Sequence, residues 1–317
     1  MRRTGKANLF MLSVILTAPL LSAVLGIIQI FAPVPLWLLL MAGELSILIC
    51  ILFYGLFTKT NVVRALPFRK MKKTTIVWCV LLSVCTIPVM TVVNLLTQFF
   101  TENALTDVML QVYSLPFWVL FAILAVMPPV IEEIAFRGIL FQNYRKNGVL
   151  QGVFLSAFLF GLMHMNINQM CYAAVMGIIA ALMVEATGNI LSSVLLHFVV
   201  NGSNILMIGV SSLLSGTSFA ELYAQEAAQM EAIGKEAVLL SSLLVYGVLA
   251  IAGCAAGVFV FWKLCCSAGR WEYMKAVFYR RIVLPEKEKT ADVWLILAIL
   301  IGIILMIANE AASALMA

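Results

Sequence analysis

Histidine is almost missing from this chain: 317 residues hold two, His164 and His197. Charge is scarce as well, with 11% Asp, Glu, Lys and Arg against 63% apolar residues. A soluble domain carries roughly 25% charged and 45–50% apolar residues, so a soluble globular fold is excluded. The seven cysteines (Cys50, Cys79, Cys85, Cys171, Cys254, Cys265, Cys266) include no CxxC pair. That spacing excludes a disulfide framework and a cysteine-type zinc site. Most of these cysteines lie in apolar runs, where Cys behaves as a small hydrophobe; Cys265 and Cys266 stand just past such a run, a position open to acylation. There is no internal repeat, no low-complexity tract and no apolar–polar alternation. A backbone facing lipid must satisfy its own hydrogen bonds, which leaves helices or closed barrels. Unalternating apolar runs near 20 residues select helices. The expected fold is all-α, a polytopic transmembrane helical bundle.

The runs give about nine spans (eight to nine): 8–32, 35–57, 74–98, 114–143, 149–165, 169–186, 188–212, 237–264 and 292–312. Spans 149–165 and 169–186 are short enough to be tilted or re-entrant. The first run is preceded by a basic Met1–Lys6 but continues to Phe31, too far for a secretory signal, and is read as a retained span. If nine spans alternate, 19 of the 20 lysines and arginines fall on one side, and only Lys235 falls on the other. Basic residues stay cytoplasmic, so the N-terminus is expected inside and the C-terminus outside. The net charge of +5 is thereby a topology signal and a contact for anionic lipid, with no nucleic-acid partner implied. Between spans, Ser218 stands three before Glu221, a capping-box pattern that predicts an outer-face helix anchored by Phe219, Leu222 and Met230.

Against this apolar background a few polar residues stand out. Glu132 and Glu133 adjoin in one run, His164 lies in the next, and His197 with Asn201 in a third. Ionisable groups at bilayer depth cost on the order of 3 kcal/mol each on insertion scales, which makes them functional by default. Counted from the basic ends at about 1.5 Å per residue, Glu133 lies about 18 Å deep, His164 about 22 Å, His197 about 14 Å and Asn201 about 20 Å. The depths overlap, so one site is possible. Residues four apart share a helix face: Glu133 can pair with Arg137, His197 and Asn201 can face one cavity, and Phe160 can pack beside His164. Glu132 and Glu133 point about 100° apart and need not share a role. Pro128 and Pro129 should distort their helix near Leu124–Val126, since proline removes a donor and clashes with the carbonyl four back. Glu44 is also in a span and is read as a helix-packing or lateral-pathway residue. Glu185 and Asn189, beside Gly188, are read as caps of an inner turn.

Three motifs, Glu132-Glu133-Ile-Ala-Phe-Arg137, Phe160-Gly-Leu-Met-His164 and His197-Phe-Val-Val-Asn201, resemble in order and spacing those of the CAAX-protease and bacteriocin-processing family of intramembrane proteases. That family includes the Rce1-type prenyl-protein endopeptidases. The resemblance covers residues 114–212 and implies a catalytic core of four helices there. Outside it, the apolar runs and basic residues give N-terminal transmembrane helices at 1–113 and C-terminal ones at 213–317, the latter with an outer loop 213–236 and a cytoplasmic basic segment 265–291. The resemblance implies an endopeptidase in which Glu132 activates water, His164 helps hold that water, Glu133 pairs with Arg137, and His197 and Asn201 donate to the oxyanion. The implied partner is a peptide or protein substrate at the membrane: a prenylated tail, a leader peptide or an anchored precursor. The short loops fit a multi-pass protein of a bacterial cell membrane. The resemblance leaves the cofactor open, Zn²⁺ or none. Glu132, His164 and His197 form a recognised zinc donor set, yet HExxH is absent. The residues alone also admit a proton-coupled transporter or a non-catalytic membrane scaffold, and they do not set the oligomeric state.

Overall fold

Proline, glycine and left-handed residues set the breaks between helices. The computed structural model describes residues 2–101, 112–282 and 288–316; Lys287 of the basic segment lies outside them. Among the described residues every regular element is helical, and the one β-type pairing is an isolated antiparallel bridge between Phe68 and Asn189. Helix α1 (Arg3–Phe31) stops ahead of Pro33 and Pro35. Helix α2 (Ala42–Thr58) ends where Lys59 turns left-handed at φ 55°. Then follow α3 (Lys73–Thr97), α4 (Phe117–Tyr144), α5 (Val149–Leu162), α6 (Ile167–Thr187) and α7 (Leu191–Ser215). The chain continues through α8 (Phe219–Ile233), α9 (Lys235–Ser267), α10 (Trp271–Phe278) and α11 (Val293–Met316).

Among the described residues seven helices, α1, α3, α4, α6, α7, α9 and α11, are long and apolar enough to cross a membrane; α2 and α5 are shorter apolar helices of 17 and 14 residues. Large side chains on the outward faces are apolar and exposed, as with Leu52, Phe53 and Leu56 of α2 and Val248, Ile251 and Val258 of α9. In water such a surface would aggregate; in a bilayer it is the lipid contact.

Two expected spans are corrected. The run 35–57 is broken at Met41, so a short turn Leu36–Leu40 precedes α2. The run 149–165 is helical only to Leu162. Beyond it Met165 adopts φ 50° and Asn166 caps α6 by accepting from the Gln169 N–H at 2.9 Å. That is a favoured N-cap side chain in its usual role. At 14 residues, α5 rises about 21 Å, short of the roughly 30 Å hydrocarbon core, so the α5–α6 turn stays within membrane depth. Irregular backbone at that depth must be covered by protein. Here α11 covers it: the Asn309 amide donates to Met165 O at 3.2 Å, and Glu310 accepts from the Ile167 N–H at 2.9 Å.

Helices α4 to α7 pack on one another, with α5 along α6 and α7 against α4 and α6, while α2 lies against the middle of α4. Small residues allow the close crossings, as is usual between membrane helices. A Cβ on Gly161 would stand 2.5 Å from Met170 O, and one on Gly177 would stand 2.9 Å from the Ala157 Cα and 3.2 Å from Arg137 Nη2. Gly177→Ala should therefore push α6 off α5. The expected loss is about 1–3 kcal/mol, read as a lowered thermal midpoint in detergent.

At the basic end Glu185 is a clamp and not the cap expected of it. Its carboxylate accepts from Arg145 at 2.8 and 2.6 Å and from the Tyr273 hydroxyl, and its backbone carbonyl accepts from Arg270 Nε at 2.9 Å. Burial opposes the Arg145 charge, but Glu185 outweighs it and lifts the guanidinium above its ordinary value. Thus α4, α6 and α10 are tied by one acid. Asn189 does serve the turn, accepting from the Leu191 N–H at 2.8 Å and donating to Arg69 O at 2.6 Å. At the other end the Ser218–Glu221 capping box forms, and hydrogen bonds from Ser218 hold the Glu221 carboxyl below its usual range. No residue of α8 is buried.

Candidate active site

The middle of α4 carries the acids, and its backbone is unusual there. Two π-helical turns, Phe121–Val126 and Ile134–Leu140, flank a short α-helical stretch, Met127–Glu133. Single π turns inside α-helices are frequent at functional sites. The first has a cause in the sequence. Leu124 O needs a donor four residues on in α register or five on in π register, and those positions are Pro128 and Pro129, which have no N–H. The side-chain amide of Asn201 supplies the donor at 3.1 Å. The distortion predicted near Leu124–Val126 is this π turn, and Asn201 repairs it. Replacing Asn201 with Ala should leave that carbonyl unsatisfied and cost about 1–3 kcal/mol, measurable by thermal unfolding separately from any effect on activity.

Glu133, Arg137 and His197 form a buried chain. Glu133 Oε1 accepts from Arg137 Nη1 at 2.8 Å and lies 3.1 Å from His197 Nδ1, and the three residues are no more than 3% exposed. A carboxylate only accepts, so His197 carries its proton on Nδ1. Its other nitrogen, Nε2, then faces Glu132 Oε2 at 3.7 Å, beyond hydrogen-bond length. Arg137 Nε and Nη2 have no hydrogen-bond partner among the described residues. The face of Phe160 lies 4.3 Å from the guanidinium carbon instead, a cation–π contact.

Phe160 is the hub that links the three motifs. Besides Arg137 it touches Phe136, His164 and His197 edge-on, with ring centroids 5.0, 5.2 and 5.9 Å apart. His164 lies past the end of α5, in the turn, and not inside a span as expected. Its Nδ1 is 2.9 Å from Phe160 O. A carbonyl only accepts, so Nδ1 bears the hydrogen and Nε2 presents a lone pair.

One further acid, outside the three motifs, reaches the site. Glu44, near the start of α2, lies close enough to Glu132 for the two carboxyl groups to interact. The sequence signal was an acid in an apolar run, but nothing in the spacing tied α2 to α4. Glu132, His164 and His197 are not gathered as a metal would require: among the described residues no three His, Cys, Asp or Glu side chains could hold a metal ion together.

Beside the same helix an apolar cleft of about 320 Å³ is lined by Met71, Val126, Pro129, Val130, Val194 and Phe198, among others.

Residues 114–203 match the family model for type II CAAX prenyl endopeptidase Rce1-like proteins. The chain carries an Rce1-like domain. All six expected site residues, Glu132, Glu133, Arg137, His164, His197 and Asn201, fall within the match, whereas Glu44 lies outside it. The match likens residues 114–203 to the CAAX-type proteases at the level of the family, and the long apolar helices support an integral membrane protein. No curated protein and no solved structure matches the chain.

Proposed function

We propose that this Rce1-like protein is an intramembrane endopeptidase that hydrolyses a membrane-associated peptide with water activated by Glu132. The observation that carries the reading is the meeting of Glu132 and Glu133 of α4 with His197 of α7. In a bilayer, where each ionisable group is costly, such a cluster needs a purpose beyond packing.

The chemistry follows from the hydrogen positions. His164 Nε2 offers a lone pair and accepts one hydrogen of the attacking water. Glu132, as its carboxylate, removes the other as the water oxygen adds to the scissile carbonyl carbon. The oxyanion is met by Asn201, whose second amide N–H remains after the first goes to Leu124 O, and by His197 once its Nε2 also carries a proton. Glu133, fixed by Arg137, orients His197 through Nδ1. The C–N bond then breaks, and the proton on Glu132 passes to the leaving amine. The products are a new C-terminal carboxylate and an amine. The apolar cleft beside α4 suits the lipid-embedded part of such a substrate.

Comparative peptide mass spectrometry of membranes carrying the wild-type protein or Glu132→Gln tests this. Wild-type membranes should yield fragments sharing one new cleavage site, and the variant should accumulate their precursor. Identical peptide sets, or proton flux in proteoliposomes that depends on Glu132 with no cleavage, would overturn the proposal.

A further inference from the structure

A second cavity lies at the basic end of the bundle, walled by α1, α2 and α4, with a volume of about 350 Å³. Its charge is one-sided. Arg3, Lys6 and Lys146 line it together with the neutral polar side chains of Tyr54, Gln142 and Asn143, and among the described residues no Asp or Glu lines it.

The cations are also short of partners. Arg3 Nη2 donates to Asn147 at 2.8 Å, which fixes the side chain, yet its buried Nε has no hydrogen-bond partner among the described residues. The nearest carboxylate to that nitrogen, Glu288, is 4.0 Å away and is taken up by the backbone N–H and hydroxyl of Thr4 at 3.0 and 3.1 Å. Lys6 and Lys146 form no ion pair among the described residues. Three cations around a polar recess, with Glu288 already engaged, call for an anion of more than one charge or several acceptor oxygens. Phosphate has both. The positive-inside rule puts this end at the cytoplasmic surface, where phospholipid phosphates are concentrated and each nearby lysine or arginine adds about 1 kcal/mol of attraction to an anionic membrane.

We propose that this cavity is a phosphate site that takes the headgroup of an anionic phospholipid from the leaflet at the basic end. The bound phosphate ties α1 and α2 to α4 on the stretch Gly138–Asn143, about two turns from Glu133. The site is separate from the acids and histidines and does not depend on what they catalyse.

Native mass spectrometry of the full-length protein in detergent tests it, with phosphatidylglycerol and phosphatidylcholine as probes. Wild type should retain one phosphatidylglycerol in preference to phosphatidylcholine. Lys6→Gln/Lys146→Gln should weaken that retention about tenfold or more. A control, Lys70→Gln/Lys73→Gln, removes the same charge from exposed positions outside the cavity and should match wild type. Glycerol 3-phosphate is the second arm. If it displaces the lipid only at far higher concentration, the source is the bilayer; if it binds as tightly alone, the site takes a free phosphate ester, and the lipid half of the proposal is wrong. Equal retention by all three proteins, or equal retention of phosphatidylcholine, would overturn the site itself.

Discussion

Glu132→Gln should lower peptide cleavage by on the order of 10³-fold while the protein melts within about 0.5 kcal/mol of wild type. The first half follows from the loss of the group that accepts the water proton. The second follows from shape. Glutamine is isosteric, and its amide can still donate to the Glu44 carboxyl that Glu132 now meets. Purified wild type and variant should be compared in one detergent, with turnover and thermal midpoint read from the same preparation. An unfolded variant would make the lost activity uninformative, so Glu132→Asp serves as the second arm. It keeps the carboxylate but withdraws it by one methylene, and should regain part of the rate. If the glutamine variant cleaves as fast as wild type, Glu132 is not the base.

The largest effect on stability is expected at Arg137. This arginine is fully buried, bonds Glu133 at 2.8 Å and stacks on Phe160. Arg137→Met removes the cation and leaves Glu133 charged in an apolar interior. Breaking one side of a buried ion pair costs about 3–5 kcal/mol, a large share of a typical total stability of about 5–15 kcal/mol. The test that separates charge from packing is the double variant Glu133→Gln/Arg137→Met. With no charge stranded, it should recover most of the lost stability. It should not recover cleavage, because His197 Nδ1 would then lack its carboxylate partner. If the single variant is as stable as wild type, the ion pair is not buried as the structure has it.

Much of the site could be read from spacing. Glu133 and Arg137 are one helical turn apart and do bond, and the Phe160–His164 spacing lets the imidazole reach back to Phe160 O. Residue counting also put Glu133 and His197 at similar depths, and they touch. What spacing does not encode is which helix lies next to which. Glu44 was recognisable as an expensive charge, but only the packing of α2 on α4 brings it to Glu132. Glu185 looked like a cap because it precedes Gly188; its partners Arg145, Tyr273 and Arg270 come from other helices. The end of α5 at Leu162 was hidden because Met163 and Met165 are as apolar as the helix before them. Apolarity measures membrane depth and not backbone conformation; the signal for the break was Asn166, three residues before Gln169. The second purpose of Asn201 was recoverable in principle, since two adjacent prolines leave Leu124 O without a donor in either register.

The claim on which the rest depends is that Glu132 and His197, from helices separated by more than 40 residues of chain, act as one unit. A double-mutant cycle on the cleavage rate reads this directly. If they are one unit, Glu132→Gln and His197→Ala should each lose most of the activity, and the double variant should be no slower than the worse single by more than a few-fold. Losses that multiply in the double variant, or full activity in His197→Ala, would contradict the account.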